Sequence, residues 1–288
     1  MVLDYSPGAA ADDTGWLRDT VIAAPAQLSQ LPDGRASLVI GDVQRYATLN
    51  HRQGDNPEHD FGDCGIVSCA DVLNQFGIHL TEADLVAHAT RCRELHLVAG
   101  HPEESGWTLP AEQVAILSDY GIAAHWAGDL SAEQLADAVQ DGHGVIAAVN
   151  AGVLWSDPSV LGHGQANHVV TVIGIGRDPY DGALQGFYIN DSGNGESAQF
   201  VSAHLMTTAF ARTGGFCVIT DVAHQAQSHA SPEASGRYVS SMLPLPNCRD
   251  CTSSMVTCAV TGNAGIPLPS RTGLTITRSS SRRPAWIR

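Results

Sequence analysis

Asp63-Cys64-Gly65 is the first place where the residue types suggest covalent chemistry. Cys64 closes a polar loop (residues 50–63, with Gly54, Pro57 and Gly62) and opens an amphipathic segment, so its sulfur would sit at a helix N-terminus. The reactive form of cysteine is the thiolate, and the free N–H groups and positive end of a helix stabilise it. Gly65 leaves room for a substrate to approach the backbone. A lone cysteine at such a place is as readily a small buried side chain. A second feature favours chemistry. Gly162-His163-Gly164-Gln165-Ala166-Asn167 is a flexible loop that feeds His168-Val169-Val170-Thr171-Val172, so His168 opens a strand. A third group follows at Ile189-Asn190-Asp191-Ser192-Gly193, where the next strand ends. In an antiparallel hairpin that end lies near the start of the His168 strand, where a carboxylate or amide can orient the imidazole and fix its tautomer.

The elements that would position these groups are legible from period and punctuation. Ile66, Ala70, Leu73 and Phe76 form one apolar face of a helix from Cys64 to Phe76, stopped by Gly77. Thr81-x-x-Asp84 and Ser131-x-x-Gln134 read as capping boxes that open helices. Another helix is expected over 110–120, opened by Pro110 and closed by Gly121. Strands are expected over 145–149, 168–175, 186–190 and 216–222, with a turn at 178–182 and a short helix over 202–210. Helices followed by antiparallel strands make an α+β domain. Strand alternation puts Phe187, Ile189 and Asp191 on one face and Tyr188 and Asn190 on the other, while His168, Val170 and Val172 share a face. Asp191 is therefore expected to be the partner of His168, with Asn190 its rival. The competing role for Asp191 is to cap the turn that follows it.

Composition limits the rest. The 288 residues include no Lys and carry a net charge of −15, which argues against nucleic-acid binding. Up to residue 224 there are 8 Arg against 28 acidic residues; beyond it there are 7 Arg against 2. This shift, with the loss of periodicity, marks 225–288 as a disordered or loosely attached basic tail. Residues 1–36 read as a loose arm and 37–224 as the folded domain. No apolar run is long enough to span a membrane, and the N-terminus lacks the pattern of a secretory signal. The expected location is cytoplasmic, or exported by a route that needs no such signal. Seven cysteines at irregular spacing argue against a disulfide framework. His88, Cys92 and His96 share a helix face but lack a fourth ligand, and Cys248-x-x-Cys251 with Cys258 lacks a second pair. No metal and no cofactor are expected, and His88, Cys92 and His96 read as a partly exposed polar stripe. His163 competes with His168 for the base role but lies inside the glycine loop. Cys69, one turn beyond Cys64, reads as core, and Trp107 and Trp155 as loop residues able to line a cleft.

Asp63-Cys64-Gly65-Ile66-Val67-Ser68-Cys69, His168-Val169-Val170 and Ile189-Asn190-Asp191-Ser192 together resemble the papain-like cysteine peptidases. The resemblance spans about residues 50–222 and is nearest to the peptidases that process bacteriocins at double-glycine leaders. It implies a papain-like fold, with an N-terminal helical part carrying the Cys helix packed on a C-terminal antiparallel sheet carrying the His. It implies Cys64 as nucleophile, His168 as base and Asp191 as orienting group. That family places an oxyanion Gln six residues before the Cys; here Glu58 holds that position, and the nearest Gln is Gln53. Gln53 is carried over to that role. Ser192 stands where the family usually has Pro, and papain-like enzymes also use Asn as the orienting residue, which keeps Asn190 open. The expected activity is hydrolysis of a peptide bond in a peptide or protein substrate, through an acyl-enzyme. The same triad serves glutamine deamidases and transglutaminase-like acyl transferases, and a degenerate copy of the fold would be an inactive binding module. An inhibitor or immunity protein is the further partner such an enzyme would have.

Overall fold

A computed structural model describes residues 22–224. In chain order the elements are β1 (Ala26–Gln30), β2 (Ala36–Ile40), α1 (Val43–Tyr46), α2 (Cys64–Gln75), α3 (Glu82–Cys92), α4 (Pro110–Asp119), β3 (Ala124–Ala127), α5 (Ala132–Gln140), β4 (His143–Val149), α6 (Ala151–Leu154), β5 (His168–Arg177), β6 (Leu184–Asp191), β7 (Glu196–Ser202), α7 (Ala203–Ala211) and β8 (Cys217–Ala223). The eight strands form one sheet, β1-β2-β5-β4-β8-β3, with β6 also on β5 and β7 on β6. Every pairing among the described residues is antiparallel. This is an α+β domain.

Local chemistry sets the helix limits as the sequence indicates. Thr81 and Asp84 exchange side-chain and backbone hydrogen bonds at the start of α3, and Ser131 and Gln134 do so before α5. Gly77, at φ +80°, turns the chain out of α2 and lets Ile78 N–H reach the Leu73 carbonyl at 3.0 Å.

The sheet is covered on both faces. In β4, Val145, Ala147 and Val149 join a core with Leu135 and Val139 of α5, Val170 and Val172 of β5, Phe187 and Ile189 of β6, and Met206 and Phe210 of α7. Ile146, the alternate residue, joins Ile66, Val72 and Leu73 of α2, Leu85 of α3 and Ile116 of α4. Strand period 2 thus assigns successive β4 side chains to opposite cores. The expected division into a helical part followed by a sheet is accordingly too simple: β1 and β2 precede α2 yet belong to the sheet, and α5 and α7 follow it in sequence.

The loose arm expected over 1–36 is corrected for residues 22–36. Strand β1 pairs with β2 from Ala26↔Ile40 to Gln30↔Ala36, and Ala24 and Leu31 are buried. Its sequence, AQLSQ, is polar because it is an edge strand with one neighbour and largely open faces. Residues 1–21 and the tail expected over 225–288, with Cys248, Cys251 and Cys258, lie outside the described residues. Among the described residues no helix is long and apolar enough to cross a membrane.

Candidate active site

Cys64 is the first residue of α2 and His168 the first of β5; Asp191 is the last of β6. The fold brings the three together. His168 Nε2 donates to Asp191 Oδ1 at 2.8 Å, and both side chains are buried. The other ring nitrogen, Nδ1, is thereby left free of Asp191; the Cys64 thiol, whose sulfur lies 3.9 Å from Gly62 O, is close enough to His168 to be lowered by it. Asp191 and Asn190 face opposite ways, as alternation requires. Asn190 Nδ2 donates to Tyr46 O at 2.9 Å and to Asp71 Oδ2 at 3.1 Å, and its Oδ1 accepts from Ala198 N. Asn190 is thus tied into the packing behind the sheet and does not reach His168.

Asp191 both accepts from His168 and caps the turn that follows it. Its Oδ1 also accepts from Gly193 N at 2.9 Å, and its Oδ2 accepts from Trp155 Nε1 at 2.7 Å. Trp155 supplies the second wall of the site: its ring centroid lies 5.3 Å from that of His168, tilted by 55°. Gly193 closes the arrangement, since a Cβ there would fall 2.7 Å from the Trp155 ring and 3.1 Å from His168 Cε1. Neither contact follows from spacing alone. The signal available was a Trp near the glycine loop and a Gly two residues after the Asp.

Electrostatics follow from this packing. Burial pushes the Cys64 thiol up, but the hydrogen bond and charge of His168, with Val169 and Gly65 N–H groups, outweigh it and hold the thiol below its ordinary value. Burial alone would lower the His168 imidazole; Asp191 and Cys64 overcome it and push the imidazole up to about 10. Burial likewise opposes ionisation of Asp191, and His168, Trp155 and Gly193 reverse it, keeping the carboxyl below 3.8. A thiolate–imidazolium pair backed by a carboxylate is the state this geometry favours.

Gln53 lies beside Cys64 in a cleft of about 650 Å³ that Trp107, Trp155, His168 and Phe216 also line. Its amide is fixed at both ends: Oε1 accepts from Ser192 Oγ at 3.1 Å and Nε2 donates to Phe61 O at 2.6 Å. The second Nε2 hydrogen remains for another acceptor. Glu58 is exposed and is not part of the cleft wall. His163 is exposed in the loop before β5.

The other thiols differ from Cys64. Cys64, Cys69 and Cys217 are free, and burial pushes Cys217 up to about 12 and Cys69 higher still. Cys92 is disulfide-bonded, which removes a thiolate ligand from the His88, Cys92, His96 face. The polar stripe expected there is also corrected. His88 is buried, pairing with Asp119 at 3.0 Å and packing on Tyr120 at the end of α4, and α3 ends at Cys92, so His96 does not share its face. His96 turns out to Glu112 at 2.8 Å and stacks on Trp107 at 3.6 Å.

A polar network missed in the sequence lies behind Cys64. Asp63, Glu82 and Asn56 are buried together, with Gly54 and His51 around them. These residues are scattered over the loop and α3, and only the fold collects them.

Comparison with known proteins assigns the class. The chain belongs to the Peptidase_C39 like family, whose model matches residues 40–215. That span runs from the end of β2 to just before β8 and includes Cys64, His168 and Asp191. Among solved structures, a protein of Bacillus anthracis assigned to the C39-like peptidases is similar with a TM-score of 0.41 and 18% identity, over 62% of this chain and 97% of that one. A search of curated proteins finds no match.

Proposed function

We propose that this protein is a cysteine peptidase that hydrolyses peptide bonds through Cys64, His168 and Asp191. The observation that carries the reading is the chain of contacts from the Cys64 sulfur through the His168 ring to the Asp191 carboxylate, at 2.8 Å for the latter step, inside a family of peptidases. The Cys64 thiolate attacks the scissile carbonyl carbon, forming a C–S bond as the carbonyl π electrons move to oxygen. The Cys64 N–H at the start of α2 and the free hydrogen of Gln53 Nε2 receive that oxyanion. His168 gives its Nδ1 proton to the leaving amine as the C–N bond breaks. A water then attacks the thioester, giving its proton to His168, and the acid is released with the thiolate restored. Asp191 holds the imidazolium in place throughout.

The cleft supports a peptide as the substrate. Its rim carries Trp107, Leu109, Trp126 and Phe216, all at least 38% exposed, which suits an extended segment with apolar side chains. The test is incubation of the protein, and of Cys64→Ser, with unfolded protein substrates, with products read by mass spectrometry. New termini made by the wild type and not by Cys64→Ser support a peptidase. A shift of about +1 Da on Gln or a cross-linked product without new termini would instead indicate deamidase or transferase chemistry on the same thiol.

A further inference from the structure

Asp63 directly precedes the nucleophile and is fully buried, yet it does not act as the cap of α2: its side chain accepts no hydrogen bond from that helix. It turns instead toward Glu82, the first residue of α3, also buried. The two carboxyls draw on the same donors. Gly54 N–H lies 3.1 Å from Asp63 Oδ1 and 3.0 Å from Glu82 Oε1. Asn56 Nδ2 lies 3.1 Å from Asp63 Oδ2, 2.9 Å from Glu82 Oε1 and 3.1 Å from Asp60 O. Three N–H hydrogens therefore face five acceptor contacts. Even with His51 beside Glu82, two buried carboxylates that share so few donors disfavour a second negative charge, and a proton between them supplies the missing hydrogen bond.

Position decides which carboxyl holds it. Glu82 Oε2 lies 3.2 Å from His51 Nε2 and sits in the first turn of α3, so a negative charge is favoured there. Asp63 has Cys64 as its neighbour, and its side chain accepts no hydrogen bond from the start of α2.

We infer that Asp63 is held as a neutral carboxylic acid donating to Glu82, so that the Cys64 thiolate forms beside a proton instead of beside a second negative charge, with the pair acting as a positioning device for the nucleophile. The pair also ties the loop that carries Gln53, through Gly54, to the start of α2. The pKa directions agree: burial and Glu82 raise the Asp63 carboxyl, while Glu82 is lowered by His51, Asp63 and Asn56 against its own burial. The other titratable groups around the pair are His51 and Asp60 on the same loop and Cys64 on α2; Asp71, which acts on His51, is itself pushed up to about 7 by burial.

This inference rests on Cys64 and His168 as the reacting pair. The test is the pH midpoint for carboxymethylation of Cys64 by iodoacetamide, followed by peptide mapping in the full chain. In D63N the midpoint should stay where it is in the wild type, since an amide replaces a neutral acid. In E82Q the neighbouring charge that keeps Asp63 protonated is gone and the Gln amide can donate to it, so Asp63 ionises beside Cys64 and the midpoint should rise by about 1 unit or more. The double variant E82Q/D63N should return it to the wild-type value or below, whereas a merely structural role would leave the double at least as perturbed as E82Q. A fall of about 1 unit in D63N would mean that Asp63 is charged in the wild type and would overturn the inference. An unshifted midpoint in folded E82Q, or no recovery in the double, would overturn it too. If E82Q does not fold, D63N alone decides. A His168→Ala arm separates the two claims: a midpoint that ignores His168 removes the proposed function itself, while one that rises with His168→Ala and falls with D63N removes only the role of Asp63.

Discussion

Replacing Trp155 with Phe removes one atom pair and leaves most of the rest. The indole Nε1–H donates to Asp191 Oδ2 at 2.7 Å, and Asp191 is wholly buried, so no water is at hand to replace the donor. A hydrogen bond to a buried charge contributes about 1.5–3 kcal/mol. Phe keeps an aromatic surface against His168 and lacks the N–H. The loss should be about 2 kcal/mol, equivalent to a fall in melting temperature of roughly 4–8 °C for a domain of this size. Because the carboxylate becomes less stable, Asp191 holds the imidazolium less firmly, and kcat should fall by about 10- to 30-fold with KM little changed. The pH dependence has a definite sign. Asp191 is depressed below 3.8 in the folded protein, so its contribution to stability is present above that value and is lost as pH falls through the depressed one. Trp155→Phe gives up part of that depression, so the difference in melting temperature from wild type should be full at neutral pH and shrink in acid. Calorimetry across a pH series with parallel peptide-cleavage kinetics checks both. An unchanged kcat, or a stability difference that stays constant in acid, would refute the reasoning.

Asp191→Ala should cost about 10²–10⁴ in rate, as loss of an orienting carboxylate does; Asn190→Ala should act mainly on melting temperature, through its bonds to Tyr46 and Asp71, and an Asn190→Ala rate loss exceeding that of Asp191→Ala would reverse their roles. Gly193→Ala should lower kcat by displacing Trp155 or His168, because its new Cβ has nowhere else to go, and steady-state kinetics on the folded variant would show this. His168 rises from 6.5 to about 10 on folding, so its stabilisation is complete below 6.5 and disappears as pH climbs through 10; thermal melts should show this alkaline loss in the wild type and not in His168→Ala.

The parts of the fold that were legible in the sequence are those whose side chains meet two neighbours. In β4, β5 and β6, apolar residues alternate between two cores, and α2, α3 and α5 announce themselves by caps and periodic apolar faces. β1, β3 and β7 went unread. Each pairs with a single strand, and sequences such as AQLSQ and ESAQFVS are mostly polar, with Val201 the single fully buried residue of β7. The site divides in the same way. Cys64, His168 and Asp191 stand at element boundaries, where residue type and position carry information, and strand parity was enough to prefer Asp191 to Asn190. Trp155, Gly193 and the Asp63–Glu82 pair act through contacts between segments far apart in sequence. Glu82 reads in the sequence only as part of an ordinary capped helix start.

The central claim is tested most directly by an irreversible epoxide inhibitor of thiol enzymes, with the modified residue found by peptide mapping and its rate compared in His168→Ala. The account predicts stoichiometric, activity-abolishing modification of Cys64, greatly slowed without His168, with Cys69 and Cys217 untouched. Modification of Cys69 or Cys217 in preference to Cys64, or equal Cys64 labelling in His168→Ala, would contradict it.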